Sequence, residues 1–236
     1  MRIEQYGELK VRIAGGTDRE GGGHGPVVVL LHGFGAPGDD LASLWRVLRA
    51  PQGTRFVFPE APLSLASMGM FEGRAWWTID IARLQRIRTA AEVEQMMDEV
   101  PAGLAAAREK VVAMLDAMDA ALQPSKVVIG GFSQGAMLSV DVALRTERAL
   151  AGVVVMSGAL IARGEWTPLL PMRGGLPVVQ SHGTRDPILP FLAGERLKDL
   201  LQSGGLAHTW VPFPGQHEIP PPVLDAVGRF LETNLA

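Results

Sequence analysis

The stretch KVVIGGFSQGAM, residues 126–137, runs from a β-branched apolar segment through a glycine-bracketed serine into an apolar run that suits a helix. Its first half lacks the polar–apolar alternation of a half-exposed strand, so it reads as a strand covered on both faces. Its second half continues as AMLSVDVALRT, a helical pattern. A sharp strand-to-helix turn brings the positions two residues either side of Ser133 against neighbouring backbone, where a Cβ would clash. Gly131 and Gly135 occupy those positions. The serine hydroxyl then projects above the sheet at a helix N-terminus, whose amides face developing negative charge. A serine that merely caps a helix would not need both glycines.

Outward from this stretch the same pattern recurs. VVVLLHG (27–33), TRFVFPEAP (54–62), GVVVMSG (152–158), PVVQSHG (177–183) and HTWVPFPG (208–215) read as further strands. Helices are expected over 39–50, over 90–122 with a break near Pro101, over 190–203, and over 221–235, where early prolines are tolerated. Residues 1–14 suit one or two strands at a sheet edge, and 15–25 read as a glycine-rich loop. The segment from Leu63 to Thr89 has no clean period. Strands alternating with helices predict a mostly parallel central sheet with helices on both faces, formed by one domain over 1–236.

Composition narrows the function. Apolar residues make up 47% and charged residues 20%, and Lys+Arg 22 against Asp+Glu 25 gives a formal charge of -3. This is an ordinary globule with no basic run, so no nucleic-acid footprint is expected. The absence of cysteine excludes disulfides and thiolate chemistry and fits a cytoplasmic protein. Neither a signal peptide nor a membrane span is read, so stable membrane insertion is not expected. An exposed apolar patch could pair two copies as a homodimer.

In such a sheet, ligands gather beyond the carboxyl ends of the strands. Four polar motifs fall there: His32-Gly33, Ser133, Asp186 in SHGTRDPILP, and His217 in FPGQHEIPPP. A carboxylate after a strand can fix a histidine tautomer and stabilise the imidazolium formed in proton transfer; an Asp-Pro pair is also an ordinary turn signal. The order Ser133, Asp186, His217 is that of an α/β-hydrolase. Glu218 is too close in sequence to His217 to orient it, and Asp225 falls on the last helix. His182 reads as structural or as a hydrogen-bonding neighbour of the site. The five histidines form no ligand spacing, so no metal is expected. Donors for a tetrahedral oxyanion are expected from the backbone amides of Gln134 and of Phe34, in the loop LLHGFGAPG. That loop lacks both the P-loop ending and the dinucleotide-binding glycine spacing.

LHGFG, GFSQGA, HGTRDPILP, the late GQHE and RAWW (74–77) together resemble the phospholipase/carboxylesterase family, from about Pro26 to Leu235. The resemblance implies Ser133 as nucleophile, Asp186 as orienting acid, His217 as base, and the Phe34 and Gln134 amides as oxyanion donors. It also implies a compact hydrolase without a large cap domain, using no metal or organic cofactor, on carboxylic esters, lysophospholipids or palmitoyl thioesters. Two departures stand out. Ala136 replaces a common second glycine, and Asp80 follows RAWW at a wider spacing, with 80–101 of its own composition.

The expected reaction is acyl transfer to Ser133 followed by hydrolysis, on a small-molecule or lipid acyl ester. Met68, Met70, Phe71, Trp76 and Trp77 are candidates for an acyl site, though any of them could instead pack the core. Arg74 could pair with Glu72 or Asp80. A serine peptidase or amidase on the same scaffold is the nearest rival; a hydrolase fold kept as a binding module is another.

Overall fold

A computed structural model describes residues 1–84, 86–87 and 89–236. In chain order the strands are β1 (Arg2–Tyr6), β2 (Leu9–Gly16), β3 (Glu20–Gly22), β4 (Val27–Leu31), β5 (Arg55–Pro59), β6 (Leu63–Ser64), β7 (Arg74–Ala75), β8 (Val127–Phe132), β9 (Gly152–Met156), β10 (Pro177–Gly183) and β11 (Ala207–Phe213). The helices are α1 (Ile81–Leu84), α2 (Ala90–Asp98), α3 (Leu104–Leu122), α4 (Gln134–Arg145), α5 (Arg163–Trp166), α6 (Phe191–Ser203) and α7 (Pro221–Leu235).

Nine strands make one sheet in the order β1-β2-β5-β4-β8-β9-β10-β11, with β3 on β2. From β5 to β11 all neighbours are parallel, while β1, β2 and β5 pair antiparallel at one edge. The unbroken apolar run of β4 has a direct cause. Val27, Val29 and Leu31 enter a core with α2, α3, α4 and α6, whereas Val28 and Leu30 enter a second core with α7 and the turn at 42–46. Both faces are covered, so alternation would have buried polar groups. At about 1.5–3 kcal/mol per large apolar side chain buried, these two layers supply the main drive to fold.

The chain moves from β4 to β5 on one side and returns to place β8 on the other. Such a reversal of strand order opens a crevice beyond the carboxyl ends of the two strands. The helix at that crevice, α4, is fixed from behind. Asp141, fully enclosed on α4, accepts from Arg108 on α3 at 2.8 Å, from Arg145 at 2.9 Å and from the Trp166 indole at 2.8 Å. The acid is paired and fully hydrogen-bonded, which is the condition for burying it.

Two local expectations change. The helix over 39–50 is only a 3-10 turn at Ala42–Arg46, because the segment between Gly38 and Pro51 closes by short-range turns such as Leu44 N–H to the Leu41 carbonyl, 3.0 Å. The loop over 15–25 contains the end of β2 and all of β3. The Asp18 carboxylate organises it by accepting the amides of Glu20 and Gly22, each at 2.8 Å. The aperiodic stretch from Leu63 to Thr89 carries the two-residue strands β6 and β7, then α1. Its Gln85 and Arg88 lie outside the described residues. No helix among the described residues is long and apolar enough to cross a membrane.

Candidate active site

Ser133 stands between β8 and α4 with φ 55° and ψ −118°. An L-residue adopts such a conformation only when its surroundings impose it. Its amide donates to the Met156 carbonyl at 2.9 Å, and its carbonyl accepts from Ala136 and Met137 at 3.0 and 3.1 Å. A Cβ on Gly131 would lie 2.3 Å from the Leu31 carbonyl oxygen, and one on Gly135 would lie 2.1 Å from that same atom. Backbone cannot yield to such contacts as a flexible side chain can. The two glycines therefore allow the turn to press against the end of β4.

Asp186 follows β10 in a turn tied to the end of β11: Thr184 donates to the Phe213 carbonyl at 2.9 Å and Arg185 to that of Gly215 at 3.0 Å. Its Oδ1 accepts the amides of Ile188 (2.8 Å) and Leu189 (2.9 Å), and its Oδ2 lies 2.6 Å from His217 Nδ1. Burial pushes the Asp186 carboxyl upward, but the hydrogen bond and charge of His217 and the two amides outweigh it, leaving the acid below its ordinary value. An ionised Oδ2 accepts the hydrogen bond of Nδ1–H and leaves Nε2 of His217 as the acceptor. The His217 ring leans on Phe132, the residue before Ser133, with centroids 4.7 Å apart.

Ser133 and His217 line one cavity of about 140 Å³ with Gly33, Phe34, Phe132 and Met137. No hydrogen bond joins the Ser133 hydroxyl to His217 in this structure; such contacts are often loose in a ligand-free site. The loop after β4 arrives at the same place, and a Cβ on Gly33 would be 3.3 Å from that of Ser133. Among the described residues the amides of Phe34 and Gln134 have no acceptor.

That loop is held from below by the stretch resembling the family's arginine-aromatic segment. Gly35 donates to the Arg74 carbonyl (2.9 Å), and Arg74 to that of Ala36 (3.0 Å). The Trp76 indole donates to the His32 carbonyl at 2.9 Å. Gln134 accepts the Trp76 amide (2.9 Å) and donates to the Trp77 carbonyl (2.8 Å). His32 is buried: Nδ1 donates to the Gly33 carbonyl at 2.8 Å and Nε2 accepts from Ala61 at 3.1 Å, while burial pushes its pKa down. Arg74 meets neither Glu72 nor Asp80. It donates to the carbonyls of Ala61 (2.8 Å) and Pro62 (3.1 Å) and lies 3.7 Å from Glu60.

None of the acyl-site candidates lines the Ser133 cavity itself. Trp76 is 2% exposed, locked in the core by the hydrogen bonds just described. Met68, Met70 and Phe71 stand out on the β6–β7 hairpin, with Phe71 84% exposed, and do not line the cavity of Ser133. Trp77 lines a second apolar cavity of about 250 Å³. Ile79, Leu84, Met137 and Leu189 border both cavities. Sequence could have offered Met137, four residues after Ser133 and so on the same helix face. It could also have offered Ile188 and Leu189, which follow Asp186 in a turn that an Asp side chain commonly caps.

Comparison with known proteins points the same way. The chain is 28% identical over 221 residues to acyl-protein thioesterase 1 of Gibberella zeae, covering 90% of this chain and 92% of that protein. The crystal structure of esterase PE8 superposes with a TM-score of 0.78 at 28% identity, over 96% of this chain and 99% of that one. Acyl-protein thioesterase 2 of Zea mays shares the fold, with a TM-score of 0.73 at 21% identity over 96% and 99% of the two chains. The family model for phospholipase/carboxylesterase matches residues 18–235, and with it a strained serine at the sheet's switch point finds its context: the chain belongs to the phospholipase/carboxylesterase family of serine hydrolases and has the α/β-hydrolase fold.

Proposed function

We propose that residues 1–236 form one hydrolase domain that cleaves carboxylic acyl esters through an acyl-enzyme on Ser133. The observation that carries this reading is the 2.6 Å contact of His217 with an ionised, buried Asp186, in a site whose cavity also holds the strained Ser133. His217 Nε2 takes the hydroxyl proton as Ser133 Oγ bonds to the acyl carbon. It returns that proton to the leaving alcohol or thiol as the carbon–heteroatom bond breaks, and then activates water to release the acid. The Phe34 and Gln134 amides stabilise the oxyanion in both steps, a contribution of about 3 kcal/mol per donor. Asp186 keeps the Nδ1 proton in place and balances the imidazolium.

Action on longer acyl chains, as thioesters or lysophospholipids, is favoured by one observation: the second cavity beyond Ile79, Leu84, Met137 and Leu189. Each methylene placed there contributes about 0.8 kcal/mol. The relatives named thioesterases support this reading.

The test is turnover of paired oxygen esters and thioesters from two to sixteen acyl carbons, with Ser133→Ala alongside. Loss of about 10⁴-fold or more in kcat in the variant is expected. Equal rates in the two proteins would remove Ser133 as nucleophile, and a rate peak at two to six carbons would confine the acyl group to the first cavity.

A further inference from the structure

Asp186 meets a second imidazole. His182 ends one residue before the last of β10, fully enclosed, and its Nε2 lies 3.0 Å from the Leu189 carbonyl oxygen and 3.4 Å from Asp186 Oδ2. Its Nδ1 lies 3.2 Å from the Gly158 carbonyl oxygen. Phe191 meets the ring edge-on at 6.0 Å, and Gly194 is pressed so close that a Cβ there would be 2.5 Å from Nδ1. The ring cannot turn away from these partners.

The polar atoms that the two ring nitrogens of His182 meet are all acceptors, and a neutral imidazole has one N–H to offer. Burial pushes the pKa of His182 down and favours that neutral form. The single proton then has two places. At Nδ1 it would reach one carbonyl, at the longer distance. At Nε2 it reaches a nearer carbonyl and faces the negative charge of an ionised carboxylate 3.4 Å away, which favours that position.

We infer that His182 is a positioning residue: its Nε2–H, bonded to the Leu189 carbonyl, presents its positive end to Asp186 Oδ2 at 3.4 Å, fixes the turn that holds that oxygen toward His217, and moderates the charge His217 experiences. The inference rests on the reading of Asp186 and His217 as acid and base. The other charged groups near His217 are Asp40 in the Ser133 cavity and Arg185 and Glu218 in the open groove beside it. Asp186 alone among them contacts both rings. Removing the His182 donor leaves more negative charge on Oδ2. That charge stabilises the His217 imidazolium.

The experiment is the pH profile of kcat/KM on a short-chain ester for wild type, His182→Phe and His182→Gln, with Asp186→Asn as reference. His182→Phe should lose roughly tenfold in rate. Its acidic limb should move up by about half to one pH unit, because less acid is needed to protonate His217. His182→Gln, whose amide N–H reaches the place of Nε2–H, should recover most of the rate and bring the limb back. Equal loss in both variants with an unmoved limb would mean that the ring only fills space, and would overturn the inference. Should His182→Phe not fold, the ¹H–¹⁵N imidazole spectrum of the wild-type protein decides: an Nε2–H tautomer is expected, and an Nδ1–H tautomer overturns it. An Asp186→Asn variant of undiminished rate would instead overturn the reading of the acid.

Discussion

The elbow at 130–136 and the covering segment at 74–102 lie within one side chain's reach of each other, joined by Gln134, yet they are built on opposite principles. In the elbow, backbone meets backbone. The Leu31 carbonyl fills the space that a Cβ of Gly131 or Gly135 would need, and the Ser133 dihedrals follow. In the covering segment, charged side chains hold short elements in place. Arg83 pairs with Glu99 through both guanidinium ends, Arg163 on α5 with Glu94 and Asp98, and Arg196 on α6 with Glu94 again. Backbone contacts tolerate almost no change, whereas exposed ion pairs tolerate a great deal. On the proposed reading of Ser133, chemistry falls to the rigid region and shape to the adaptable one.

The sharpest break of that contrast is Gly135→Ala. Its methyl would sit 2.1 Å from the Leu31 carbonyl oxygen, so β4 and α4 must separate. A loss of about 3 kcal/mol in denaturant unfolding is expected, together with turnover. A variant of normal stability and rate would show that the elbow is not rigid.

Leu84→Ala tests the other side. Leu84 borders both cavities, and its removal should merge them while leaving Ser133 untouched. Activity on acetyl esters should be unchanged, and the preference for longer chains should rise by roughly fourfold per methylene newly accommodated. An unchanged chain-length profile would detach the second cavity from the acyl group.

The smallest effect is on the anchors themselves. Glu94, Asp98 and Glu99 are each held below their ordinary values by hydrogen bonds from the arginines that face them. A depressed folded-state pKa means that the pairing is fully present above the unfolded value, near 4.5 for Glu and 3.8 for Asp, and is lost progressively as pH falls from there through the lower folded value. Hydrogen exchange in α2 should therefore accelerate below about pH 4.5 while β8 and α4 stay protected. Arg163→Ala should produce the same local loosening at neutral pH. Uniform acceleration across both regions would erase the distinction.

The same contrast explains what could be read beforehand. The strands ending at Leu31, Phe132 and Met156 are legible because burial on both faces demands continuous apolar runs, and the elbow because steric necessity leaves glycines at fixed offsets. That Ser133, Asp186 and His217 meet at one edge follows from their places after β8, β10 and β11. In the covering segment the helix over 90–98 is legible, but the part before Thr89 resists because its elements are two to four residues long, too short for a hydrophobic period to register. Arg74 found Glu60 rather than either nearby acid because the pairing of β6 with β7, not sequence distance, returns it to the end of β5. The exposed Met68, Met70 and Phe71 look like pocket material by composition alone; only their hairpin shows that they face outward.

Gln134 carries a practical consequence for redesign. One residue supplies a backbone amide to the elbow and, through its side chain, the clamp for Trp76 and Trp77. A combinatorial library confined to positions 78–102 would vary substrate scope while leaving the reactive apparatus intact. A library that included position 134 would confound the two properties in every clone.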